Sequence, residues 1–70
     1  KVRIELQNNI VLSGELSMMN TYTITIRVNN IDVETLKRLY TMKVSVTKLS
    51  DFWSLCVDRD DIVDVNIWED

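Results

Sequence analysis

Apolar and polar residues alternate along most of this chain, and a period of two predicts strands. Val2, Ile4 and Leu6 fall on one face and Arg3 and Glu5 on the other, as in a half-buried strand. Asn8 and Asn9 come next, and asparagine tolerates the positive φ that a tight hairpin turn demands. The alternation resumes with Ile10, Leu12, Gly14, Leu16 and Met18 inward, against Val11, Ser13, Glu15 and Ser17 outward. Gly14 is the only glycine in the protein. Inside a strand it predicts a sharp bend or a close backbone approach. Such a bend lets one long strand serve both sides of a barrel. Asn20 and Thr21 form a second turn candidate, and Tyr22, Ile24, Ile26 and Val28 then share one face of a third strand.

Residues 29–50 break this rhythm. Val33, Leu36 and Leu39 or Tyr40 recur at helical spacing, with Asp32 placed to cap a short helix. The segment reads as a long connection carrying about two turns of helix. Over 41–49 the alternation returns, with Met42, Val44 and Val46 inward. Ser50 and Asp51 break or bulge this strand, and Trp53, Leu55 and Val57 continue it. Asp58 to Asp61 make the next turn, and Ile62, Val65 and Ile67 complete a fifth strand before Trp68 and an acidic tail. The expectation is a single, mainly all-β domain over residues 1–70. It is a five-stranded, strongly bent antiparallel small barrel with a long insertion, residues 29–50, between strands three and four.

Size sharpens this picture. A chain of 70 residues buries only about 60% of its unfolded surface, so its core is thin. Small domains then depend on disulfides, a metal or association. Cys56 is the only cysteine and there is no histidine, so an internal disulfide is impossible and zinc has a poor ligand set. Self-association remains. The net charge of −3 argues against binding nucleic acid through bulk charge. No apolar run approaches the roughly 20 residues of a membrane span, and no secretory signal is visible. With a free cysteine, this favours a reducing, cytoplasmic interior. The chain begins at Lys1 rather than methionine, which leaves room for residues upstream.

Catalytic signals are missing. There is no glycine-rich phosphate loop and no nucleophile elbow, and Cys56 lies in an apolar strand without a base, as an inert core thiol does. No enzyme and no cofactor are expected. Asp58, Asp60 and Asp61 read as a solvated turn, because a hard cation wants six or more oxygens in set geometry.

Residues 4–28, IELQNNIVLSGELSMMNTYTITIRV, resemble the first motif of the Sm-like family, which includes the Sm, LSm and Hfq proteins. Leu6 matches the family leucine, Gly14 the bend glycine eight residues on, Leu16 the apolar position after it and Tyr22 an aromatic position. Asn20 stands in place of the family's acidic residue, and Ile24 and Ile26 echo the apolar run of Hfq. Residues 57–70, VDRDDIVDVNIWED, resemble the second motif, with Val57, Ile62, Val65 and Ile67 at its apolar positions. Asp58 and Arg59 stand where that motif has arginine and glycine. Asn9 replaces a usual turn glycine, and residues 29–50 are longer than the Hfq equivalent.

The resemblance implies a homo-oligomeric ring of five to seven subunits, in which the fourth strand of one pairs with the fifth of the next. It implies a central pore where single-stranded RNA bases stack on Tyr22 beside Asn20. Ile24 occupies the family's base-reading asparagine position and Asp58 its loop arginine, with Arg59 next door as a substitute cation. The expected function is therefore a non-enzymatic ring that binds single-stranded RNA with altered base preference. The alternative is an Sm-fold scaffold that has lost RNA binding and contacts proteins through residues 29–50. A further alternative is a different small barrel, SH3-like or oligonucleotide-binding.

Overall fold

The computed structural model describes residues 1–69. Six strands and one helix follow in the order β1 (Val2–Leu6), β2 (Val11–Met19), β3 (Thr23–Val28), α1 (Val33–Thr41), β4 (Ser45–Lys48), β5 (Trp53–Asp58) and β6 (Ile62–Ile67). They form one antiparallel sheet in the order β4-β5-β3-β2-β1-β6. The class is mainly β, as the alternation predicts.

The β1–β2 turn is set by asparagine chemistry. Asn8 and Asn9 both adopt left-handed φ, 69° and 62°, and the Leu6 amide donates to the Ile10 carbonyl at 2.7 Å. β2 then changes partners along its length. Val11 to Gly14 pair with β1, whereas Glu15 to Met19 pair with β3. At the changeover the backbone of β3 passes so close that a methyl group on Gly14 would strike the Arg27 carbonyl oxygen. Glycine is the one residue that fits there.

Both ladders enclose a single core. Val2, Ile4, Leu6 and Leu12 from one side pack with Ile24, Ile26, Leu55 and Val57 from the other. No polar or charged side chain is buried among the described residues.

Helix α1 begins where Asp32 accepts a hydrogen bond from the Thr35 amide at 3.2 Å, the expected cap. It ends on Lys43, which takes a left-handed φ of 63°, while the Val44 amide reaches back to the Leu39 carbonyl at 3.0 Å. Leu39, fully buried, anchors the helix to the core.

Four expectations need correction. The chain has six strands rather than five. Residues 41–57 do not form one bulged strand: β4 and β5 make a hairpin, closed by the Leu49 amide donating to the Phe52 carbonyl at 2.8 Å. The segment 29–50 therefore holds a strand as well as a helix. Met18 does not point inward, because Leu16 pairs with Ile26 and Met18 with Thr25. Ser17 is thus an inserted bulge residue that flips the pleat after it, and Met18 is 62% exposed. Finally, Cys56 is not a core thiol. It lies opposite Thr25 and Ser45 on the outer face, half-buried, while its neighbours Leu55 and Val57 point inward.

One consequence bears on assembly. The resemblance leaves the Trp53–Val57 strand as an open edge for a neighbouring subunit. Here β4 occupies that edge, so the open edges belong to β4 and β6.

Two measurements check this fold. Gly14→Ala is expected to destabilise by about 2–3 kcal/mol, because the obstacle is main chain and cannot move aside; a urea midpoint unchanged from wild type would contradict the close approach. Asp32 has its carboxyl held below the ordinary value of 3.8, first by the Thr35 hydroxyl and then by the Thr35 amide. A depressed folded-state pKa contributes stability above the unfolded value and loses it as pH falls through the folded one. Asp32→Asn keeps a capping oxygen but removes the titration. Its stability deficit relative to wild type should therefore shrink as pH is lowered from neutrality through the carboxylate range.

Candidate nucleic-acid interface

The four residues singled out in the sequence meet at one end of the β3–β5 ladder. Thr23 pairs with Asp58, which places the β2–β3 turn beside the turn that follows β5. Asn20 builds the first of these turns. Its Oδ1 accepts from the Tyr22 and Thr23 amides, both at 2.8 Å, and from the Thr23 hydroxyl at 3.3 Å. Its own amide donates to the Thr23 carbonyl at 3.0 Å. Short polar side chains favour such turns because they satisfy the amides that the bend leaves unpaired.

Arg59 joins the two turns. Its amide donates to the Tyr22 carbonyl at 2.9 Å and its Nε to the Asn20 carbonyl at 2.8 Å. The guanidinium is thereby tethered to main chain, and no carboxylate of the described residues lies within ion-pair distance of it. Asp58, Asp60 and Asp61 surround it in sequence without pairing to it. Among the described residues, no three His, Cys, Asp or Glu side chains converge as metal ligands would.

Tyr22 is 80% exposed. It precedes β3 rather than belonging to it, and does not share the buried face of Ile24, Ile26 and Val28. Its ring is presented to solvent on a braced turn. Ile24, at the position where the resemblance expects a base-reading asparagine, is buried and offers no side-chain hydrogen bond.

Beside Arg59 lies a notch of about 270 Å³ lined by Ile24, Ile62, Val63, Asp64 and Val65. Sequence reasoning missed the part played by β6. Val65 and Ile67 stand opposite the fully buried Ile4 and Val2 yet remain 37% and 47% exposed. β6 is the last strand of the sheet, so its inward row is covered by a neighbouring strand on one flank only. Alternation signals the face a residue takes, and being on the sheet edge leaves no such mark.

No family model matches this sequence, and no curated protein or solved structure matches it. The geometry of the two turns carries the functional argument.

Asn20→Ala should loosen this end of the molecule selectively, costing about 1 kcal/mol for the lost acceptor. Amide hydrogen exchange is expected to speed up at Tyr22 and Thr23 while the Ile4 and Leu12 amides keep their order of protection. Unchanged exchange at Tyr22 would contradict the role given to Asn20.

Proposed function

We propose that this protein is a non-enzymatic, self-assembling module that binds single-stranded RNA by stacking a base on Tyr22. The observation that carries the reading is the 80% exposure of that ring on a turn fixed by Asn20 and Arg59. A base stacked on an aromatic ring gains about 1–3 kcal/mol and requires no particular sequence. A hydrophobic ring held in water by a rigid turn loses little conformational freedom on binding.

Base preference is altered in this reading. The Asn20 oxygen is already spent on the turn, and Ile24 cannot read a base edge. Arg59 supplies one cation, offset by Asp58, Asp60 and Asp61 around it. Affinity at one site is therefore low, and several copies presented together would raise it through avidity. The reading includes a bent, Sm-like barrel with an added strand, assembled in the cytoplasm as a homo-oligomeric ring of five to seven subunits. Head-to-tail contacts close into rings when the rotation allows. The open edges differ in charge, which favours pairing one with the other: Asp64 lies on β6, whereas Lys48 lies on β4 with Lys43 just before it.

A second reading is a scaffold that meets proteins through residues 29–50. It is favoured by the outer face of α1, where Val33 and Tyr40 are both exposed.

Light scattering, together with titration of labelled oligo-U and oligo-A at low and moderate salt, tests both. The expected results are a mass several times that of one chain, binding that weakens with salt, and a loss of about tenfold with Tyr22→Ala. A monomer would overturn the assembly. An oligomer with no RNA affinity, or affinity indifferent to Tyr22→Ala, would leave the scaffold.

A further inference from the structure

At the opposite end of β3 from Tyr22, the sheet opens into a cleft of about 650 Å³. That is the size range of small-molecule sites. Ser13 and Gly14 line the cleft on one side, and Arg27, Asn29, Asn30, Phe52 and Trp68 line the rest. Arg27 holds its guanidinium over the Phe52 ring, 5.4 Å from the centroid. This cation–aromatic contact fixes the long side chain at the cleft wall. No carboxylate of the described residues pairs with Arg27, so its five N–H donors are not committed to any of those anions. Among the described residues, the side chains of Asn29 and Asn30 make no hydrogen bond either. Glu15, which also lines the cleft, stands opposite Arg27 in the β2–β3 register without forming an ion pair with it.

These groups match one ligand chemistry. A guanidinium without a carboxylate partner accommodates a phosphate through paired N–H donors. Aromatic rings at the wall accept a flat heterocycle, and amide side chains offer both donors and acceptors to its edge. Charge favours this end over the other. Arg59 sits among Asp58, Asp60, Asp61 and Asp64, whereas Glu15 is the one carboxylate among the described residues that line the cleft at Arg27.

We infer that the cleft between Gly14 and Phe52 binds a nucleotide unit, with Arg27 on its phosphate and Asn29 and Asn30 on its base edge. The unit arrives either as a free mononucleotide or as part of a single strand. The inference stands independently of the stacking role given to Tyr22.

Amide and indole chemical shifts of the full chain, titrated with uridine and adenosine monophosphates and with labelled U and A pentamers, test it. The expected response is at Ser13 to Glu15, Arg27 to Asn30 and the Trp68 indole, falling with added salt. Arg27→Gln should weaken binding about tenfold. The double variant Asn29→Ala, Asn30→Ala, whose sites are both exposed, should weaken it without unfolding the chain. Pentamers binding far more tightly than mononucleotides identify a strand as the source, and equal affinities identify the free nucleotide. Absence of shifts at these residues with every probe, or affinity unaltered by both variants, would overturn the assignment. Tyr22→Ala should leave mononucleotide binding intact, so the two sites fail separately.

Discussion

The fold depends on one close approach. At Gly14 the main chain of β2 lies against the Arg27 carbonyl with no room for a side chain. There β2 leaves β1 and takes up β3. Without that exchange the two ladders would be separate small sheets, and a single hairpin is marginal in water. With it, apolar rows from β1, β2, β3 and β5 converge, and Leu39 of α1 joins them. A domain of this size has no reserve to absorb the loss of such a junction.

The same exchange positions both candidate sites on β3. Its first residue, Thr23, pairs with Asp58 and draws the Tyr22 turn to Arg59; its last, Val28, pairs with Trp53 and sets Arg27 against Phe52. One end gathers aspartates around a single arginine. The other holds Arg27 over the Phe52 ring, with no aspartate among the described residues that line the cleft. A chain of net charge −3 can thus present a local surface suited to phosphate.

Much of this was legible in the residues themselves. Clean alternation gave the faces of β1 and β3, and Asn8 and Asn9 announced positive φ where it occurs. Asp32 marked its helix. The losses have physical causes. Ser17 enters β2 as an extra residue whose presence depends on its partner strand, so a period of two misplaces Met18. The β4–β5 hairpin turns through Ser50 and Asp51 without glycine, proline or asparagine, and so looked like a bulge. Asn20 appeared as a ligand-facing residue, yet its oxygen holds the turn. The cleft drew on segments too far apart in sequence to suggest one another: Ser13 and Gly14, Arg27 to Asn30, Phe52 and Trp68.

The central claim is that two ladders sharing β2 enclose one core. Native-state hydrogen exchange against denaturant tests it most directly, because cooperative units reveal themselves as groups of amides with a common opening free energy. The amides of Ile4 and Leu12 in the β1–β2 ladder, whose side chains point inward, should merge with those of Ile26 and Leu55 in the β3–β5 ladder into a single globally opening class. Two classes, one ladder opening well before the other, would contradict it.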